Sequence, residues 1–303
     1  MRDCAAHLCD GVPERYRRSG PVEHLIERAV PGSLLDTMQA RFDDLAKAEA
    51  DLLKKARYVT GRTAFDKAAM ADLAPGARYF ACNETLRPLF YTLPLWQKRT
   101  FGSAPVLLMT QGNYPLKNLH TVLMALPALV KKWPGLVLRV AGWPPLDKGA
   151  LLRPVIEAMF PCQTWCAKLI RDNGLEGHVQ YTGPLQERQM RQAYLDADVF
   201  LLPSYCENSP NSLGEAMLLG MPCVVAQAGG IPDMICMPEG LVYGQPGDVQ
   251  ALTDALTQVL ENFPAAAAMG GFARDRALEA HDPDANARTL LGIYGTIAGE
   301  ESV

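Results

Sequence analysis

The sequence predicts an α/β protein in which a complete, doubly wound parallel sheet follows a shorter, incomplete α/β unit. Three observations predict it. From residue 105 onward, short apolar runs alternate with segments of helical period. Runs such as "PVLLMT" (105–110), "DVFLLPS" (198–204) and "PCVVAQ" (222–227) are apolar almost throughout, as strands buried on both faces require. Before residue 101, by contrast, only two strand-like runs occur, "RYVTG" (57–61) and "ARYFACN" (77–83).

In chain order, residues 22–56 carry apolar side chains three and four apart, with acids early and Lys54, Lys55 and Arg57 late, which predicts a helix. The strand at 57–61, the helix "AFDKAAMADLA" and the strand at 77–83 complete the first unit. "LRPLFYTLPLWQKRTFGSAP" has three prolines and no period, and reads as a linker. The second unit then runs strand 105–110, helix 117–133, strand 135–142, helix 162–173, strand 178–183, helix 187–197 and strand 198–204. The helix within "CENSPNSLGEAMLLGMPCVV", the strand 222–227 and a final helix over 248–261 follow, and "ALEAHDPDANARTLLGIYGTI" reads as a helix packing back on the first unit. The domain division is therefore 1–101, 102–285 and a terminal helix at 286–303.

The bulk composition excludes several classes. The 303 residues are 49% hydrophobic and 20% charged, an ordinary globular balance. A formal charge of −4 is wrong for a general nucleic-acid binder. No apolar run reaches the roughly 18 residues of a membrane span, and the first residues lack a signal-type apolar core. The eight cysteines form no disulfide framework, and Cys162 and Cys166 lack a second ligand pair, so reduced thiols in a cytoplasmic protein are expected and zinc is not.

Doubly wound sheets bind ligands at the carboxyl ends of their strands, so the loops after Thr110, Gly142, Gly183 and Ser204 carry the functional question. After Ser204, Ser209 is a good N-cap and Pro210 suits the first helical position. The free N–H groups of Asn211 and Ser212 then open on the crevice, where a phosphate is favoured. Glu215 lies in a helix apolar nearly all round, and a buried carboxylate needs hydrogen-bond donors. A sugar diol would supply two; an internal arginine or backbone amide is the alternative. Glu207, eight residues earlier, flanks the same helix start, although a loop acid alone is ordinarily solvated. In "TQGNYPLKNLH" (110–120), Gly112 permits close backbone approach, and Lys117 is placed either to meet a diphosphate or on a solvated helix start. Gly229 and Gly230 bring amides to a ligand or make a tight turn.

These pieces resemble the E-x7-E signature of family 4 (group 1) retaining glycosyltransferases of the GT-B fold, with Glu207 and Glu215 at the matching spacing. "VQYTGPL" (179–185), "DVFLLPS", "AGGIPD" and "EGLVYGQPGDVQALTDAL" fall in the family's order, and the likeness covers about residues 104–290. It implies a GT-B-like chain whose Rossmann-like second domain is complete and whose first domain lacks roughly a hundred residues, the result of truncation or a deficit that a partner makes good. It also implies transfer of a sugar from a nucleotide-diphosphate donor to a hydroxyl of a saccharide or lipid-linked acceptor, in cell-surface polysaccharide or glycoconjugate synthesis. No metal or other cofactor is implied. In that reading Glu207 and Lys117 are catalytic, Glu207 touching the donor sugar and Lys117 the diphosphate. Glu215 holds the ribose, the amides of Asn211 and Ser212 share the diphosphate, and Gly183 and Leu185 lie near the base. Gly112, Asn113, Asn208 and Ser209 complete the donor set.

Two features depart from the family. Asn113 stands near the place where the family commonly has an arginine, and the first unit is short. The shortness favours one competing function, a nucleotide-sugar-binding remnant or docking module without turnover. An epimerase or phosphorylase on a related fold lacks its expected motifs. Arg62 and Thr63 follow a strand and either face the cleft or turn a corner; His120 reads as structural; "DAD" (196–198) reads as a helix end. His7 on the acceptor side and "RYRR" (15–18) against acidic lipid heads, as peripheral contacts on the inner membrane face, are the weaker alternatives to solvated positions.

Overall fold

A computed structural model of the chain describes residues 13, 35–97, 100, 102–145 and 161–301. The expectations for His7, "RYRR" and the 22–34 part of the first helix lie outside these residues.

The first unit consists of α1 (Leu35–Leu53), β1 (Tyr58–Gly61), α2 (Ala64–Leu73) and β2 (Arg78–Ala81), with β1 and β2 paired in parallel. Thr63 starts α2 through a capping box: its hydroxyl accepts from the Asp66 N–H, and the Asp66 carboxylate accepts from the Thr63 N–H at 3.0 Å.

The second unit is built on β3 (Val106–Met109), β4 (Val137–Val140), β5 (Val179–Tyr181), β6 (Val199–Leu202), β7 (Cys223–Ala226) and β8 (Leu241–Tyr243). They form one parallel sheet in the order β5-β4-β3-β6-β7-β8. The chain winds outward from β3 to β5, then returns to β6 on the other side of β3. The two halves therefore part between β3 and β6, and the crevice of a doubly wound sheet opens at that point. Helices α3 (Leu119–Lys132), α4 (Pro161–Asp172), α5 (Glu187–Leu195), α6 (Asn211–Leu219) and α7 (Ile231–Met234) lie in the connections, and α8 (Val249–Glu261) follows β8. All four residues of β6 and of β7 are buried, as their unbroken apolar runs predict.

Three boundaries differ from the sequence reading. The N-cap of α6 is Pro210, not Ser209, and the helix starts at Asn211, not Pro210: the Pro210 carbonyl accepts from the Leu213 and Gly214 N–H groups, and no side chain caps the helix. Lys117 lies in a 3-10 turn (Pro115–Lys117) ahead of α3, because Asn118 takes a left-handed conformation (φ 59°) between the two. The Asn118 side-chain amide donates to the Pro203 carbonyl at 3.0 Å and ties that turn to the end of β6. Beyond α8, expected to be the final helix of the unit, α9 (Phe263–Ala280) and α10 (Pro283–Glu301) follow, separated at His281 and Asp282.

The segment read as a linker folds against the second unit. A 3-10 turn at Pro88–Tyr91 buries Phe90 completely against Tyr194, ring edge to face at 5.7 Å. Arg191 of α5 donates to the carbonyls of Leu89, Thr92 and Pro94, and the Trp96 indole donates to the Ala197 carbonyl. The prolines leave this backbone without a ladder of its own, so side-chain donors from α5 satisfy its carbonyls instead. At the far end, Glu300 of α10 pairs with Arg78 of β2 and accepts from the Tyr58 hydroxyl at 3.0 Å.

Helix α6 lies at the centre, with every residue from Leu213 to Leu219 buried. Its outer cover is α9, which approaches closely because Gly270 has no side chain; a Cβ there would fall 2.2 Å from the Gly220 carbonyl oxygen. Gly270→Ala is expected to destabilise the fold by about 1–3 kcal/mol through overpacking. Gly271→Ala, where a Cβ meets nothing within 4 Å, is expected to be neutral or to stabilise by up to ~1 kcal/mol. Paired urea melts check both.

Candidate functional site

The crevice between β3 and β6 is a cleft of about 520 Å³. Lys117, Glu207, Ser209, Asn211, Ser212 and Glu215 line it from the second unit, and Arg62 and Arg87 from the first unit and the connecting segment. Six of the eleven residues predicted from sequence are thus brought together.

Glu207 stands on the loop after β6. Its carboxylate accepts from the Lys117 ammonium at 2.6 Å, with the two side chains 10% and 22% exposed. This loop is braced from beneath by the turn after β7. The Gly230 N–H donates to the Glu207 carbonyl at 3.0 Å, and a Cβ on Gly229 would fall 1.9 Å from that same oxygen. The two glycines therefore let one loop backbone lie on another, and the Gly230 amide is taken up by the Glu207 loop.

Glu215 sits one turn into α6. Arg87 grips it with both arms, Nε to Oε1 at 2.6 Å and Nη2 to Oε2 at 2.7 Å. The Tyr194 hydroxyl, 3.5 Å from Oε2, donates to the Ser212 carbonyl at 2.9 Å. Of the two readings of Glu215 that the sequence leaves open, an arginine partner is the one present, but the pair lines the cleft and is not sealed away from it. Burial raises the Glu215 carboxyl above its ordinary value, and the Arg87 guanidinium opposes that rise. The Glu215 hydrogen bond raises Arg87 in turn.

Arg62 reaches the mouth of α6. Its guanidinium pairs with Glu84 and donates to Asn211 Oδ1 at 3.2 Å, and Asn211 Nδ2 donates back to Glu84 at 3.3 Å. Ser204, at the end of β6, is fully buried with its hydroxyl unpartnered, and it shares a narrow recess with Thr110, Gln111, Lys117 and Ser212. Four features thus converge at the switch point: free helix N–H groups, an ammonium, two arginines and an unsatisfied hydroxyl. A helix N-terminus with cations beside it is the kind of place that favours an anion.

The other five predicted residues lie elsewhere. Gly112 packs on Val140, where a Cβ would sit 2.5 Å from a methyl group, and Asn113 covers Gly142; both line a separate crevice beside Trp143 and Tyr181. Gly183 (φ 71°) bridges Gly142 through two backbone hydrogen bonds of 3.0 Å, and Leu185 packs against the main core. Asn208 turns to the first unit, where Oδ1 accepts from the Thr63 hydroxyl at 2.8 Å. Sequence reasoning missed Arg87, Tyr194, Thr110, Gln111 and Met190. Arg87 has no motif around it; the only signal was that Glu215 needed a partner. His120 is buried against Tyr205, and Asp196 ends α5, both as read. Among the described residues no cluster of three His, Cys, Asp or Glu side chains is placed to hold a metal, and no helix is long and apolar enough to cross a membrane.

Fold and cleft define the class: a doubly wound α/β protein with an open helix mouth at its switch point, faced by a second α/β unit. Residues 96–276, well over half the chain, match the group 1 glycosyl transferases, and the chain belongs to that family. It is 39% identical over 101 residues to a sulfoquinovosyl transferase of Arabidopsis thaliana, a match covering 31% of this chain and 19% of that protein. It is 26% identical over 185 residues to the GDP-mannose-dependent alpha-(1-6)-phosphatidylinositol monomannoside mannosyltransferase of Mycolicibacterium smegmatis, covering 59% and 44%. The chain thus spans less than half the length of these relatives. The fold is shared with HepE of Anabaena, solved in complex with UDP and glucose, at a TM-score of 0.65 and 18% identity over 83% of this chain and 66% of that one. The architecture is accordingly that of the GT-B glycosyltransferases.

The Arg87–Glu215 pair carries a pH signature. Without the guanidinium, burial loses its main opposition and the folded pKa of Glu215 rises further. A carboxyl raised on folding holds its proton more firmly in the folded state than in the unfolded chain. Stability then falls as pH rises from the unfolded value through the folded one. Arg87→Met is therefore expected to cost about 1–3 kcal/mol at roughly pH 7, and less at roughly pH 5, because stability falls as pH rises through a raised carboxyl pKa. Urea melts at the two pH values measure it; a loss independent of pH contradicts this account of Glu215.

Proposed function

We propose that the chain binds a nucleotide-diphosphate sugar in the cleft and transfers the sugar to an acceptor hydroxyl with retention of configuration, as a family 4 enzyme. The acceptor is a saccharide or lipid-linked glycan of a cell-surface polymer or glycoconjugate, and the site is cytoplasmic. One observation carries the reading: Glu207 and Glu215 flank the open N-terminus of α6 within a single cleft that also holds Lys117. Membership of the family and the GDP-mannose dependence of the Mycolicibacterium relative support it.

The roles follow from position. The N–H groups of Asn211 and Ser212 and the Lys117 ammonium receive the diphosphate. As the glycosidic bond breaks, negative charge grows on that leaving group, and fixed dipoles already aimed there stabilise it without reorganising. The reading assigns no metal to this step, because Lys117 and the helix mouth supply the positive charge. Glu207, beside Lys117, takes hydroxyls of the donor sugar. Glu215, one turn deeper, takes the ribose diol, and the base extends toward the ends of β4 and β5, where Gly142 and Gly183 meet.

Titration calorimetry of the full chain with UDP, GDP and their hexose conjugates tests the assignment. Glu215→Ala is expected to weaken nucleotide and nucleotide sugar alike by about ten- to a hundredfold. Glu207→Ala is expected to weaken the sugar conjugate more than the free nucleotide. Identical behaviour of the two variants contradicts the division of roles, and the lack of any nucleotide binding contradicts the donor site.

A further inference from the structure

Each cation at the cleft already has a carboxylate: Lys117 has Glu207, Arg62 has Glu84 and Arg87 has Glu215. The third pair differs in how completely it occupies its acid. Arg87 binds both oxygens of Glu215 in a fork-to-fork arrangement. Those in-plane positions are the ones a vicinal diol would use, so guanidinium and diol compete for the same carboxylate. The arginine is also the outer member of the pair, its side chain 41% exposed against 5% for Glu215. It therefore lies between the carboxylate and anything entering the cleft.

Helical spacing decides where the guanidinium goes when it is displaced. Asn211 and Ser212 precede Glu215 by four and three residues, so all three share one face of α6. The helix mouth lies one turn above the carboxylate, about 5–6 Å away between Cβ atoms. That distance is within the sweep of an arginine stem turning about its own bonds. Apart from Glu215, the guanidinium rests over the Phe90 ring, 4.7 Å from its centre, a weak contact that does not fix its direction. Arg62 already reaches the mouth from the first unit, donating to Asn211 Oδ1 at 3.2 Å, and Lys117 is the sole basic residue between Gln111 and Leu119.

We propose that Arg87 changes partners on binding: the ribose of a nucleotide takes Glu215, and the freed Arg87 turns up to the diphosphate, which makes Arg87 the residue that separates a phosphorylated nucleotide from a bare nucleoside. The inference rests on the donor-site reading and deepens it. The exchange leaves no buried charge stranded. Glu215 gives up an ionic partner and gains two hydroxyl donors, while the guanidinium trades a carboxylate for a phosphate. A nucleoside brings the diol without the anion, so it displaces Arg87 and offers it nothing. The ion pair is thereby a built-in penalty against nucleosides that a diphosphate cancels.

Calorimetry on the full chain with uridine against UDP, and guanosine against GDP, reads the preference directly. In Arg87→Ala, diphosphate binding is expected to weaken about ten- to a hundredfold, while nucleoside binding is unchanged or tightens, so the preference for phosphate collapses. Equal losses for nucleoside and diphosphate, in a variant whose melting shows it folded, overturn the exchange and leave Arg87 as a brace for Glu215. If Arg87→Ala does not fold, Arg87→Lys answers: diphosphate binding should drop with nucleoside binding unchanged, and parallel losses overturn the proposal. A wild-type chain that binds neither UDP nor GDP removes the donor site and the exchange with it. Wild-type diphosphate binding with parallel losses in the variants removes the exchange alone.

Discussion

The fold buries a carboxylate, and much of the cleft is arranged around that fact. Glu215 lies in a helix with apolar residues on every side, where an ionised group without donors would be untenable. Its strong partner is Arg87, from the segment joining the two units, while the Tyr194 hydroxyl on α5 stands 3.5 Å from Oε2 and donates to the Ser212 carbonyl. Arg87 can reach only because that segment is held down, by Phe90 in the core and by Arg191 gathering its carbonyls. The pair therefore couples the two units at the point where ligand would enter. A lone buried ion pair is weak evidence for stability. This one opens on a cleft beside a free helix mouth, which is why the proposed donor site is built around it.

The second coupling runs through the start of α6. Arg62, Glu84 and Asn211 close a ring of contacts between β1, β2 and the helix mouth, while Asn208 and Asp233 each bind the start of α2. Asp233 accepts from the Ala64 N–H at 2.7 Å, so the turn after β7 serves two loops at once: it braces Glu207 and it caps α2. Movement of the first unit relative to the second would be felt at Asn211, Asn208 and Glu207 together.

Much of the second unit was legible in the sequence. Unbroken apolar runs mark β3, β6 and β7, and Gly220, left-handed at φ 78°, stops α6 where glycine was expected to. The E-x7-E spacing placed Glu207 and Glu215 on one cleft because eight residues carry the chain from the end of a strand loop to just past the first helical turn. What escaped had tertiary causes. Arg87 is a single cation in a proline-rich stretch without period, and only the folded chain shows that this stretch is pinned under α5. Gly112 and Asn113 looked like ligand contacts because a glycine permits close approach, but the close approach is to Val140 and Gly142. Gly229 and Gly230 likewise serve a backbone-on-backbone contact. A glycine in a strand-end loop announces proximity without saying to what.

A crystal structure of the chain bound to a nucleoside diphosphate tests the central claim most directly. The account predicts phosphate oxygens on the amides of Asn211 and Ser212 within reach of Lys117, with the ribose hydroxyls on Glu215. A nucleotide seated in another cavity, or one in the cleft whose phosphates point away from the helix mouth, would contradict it.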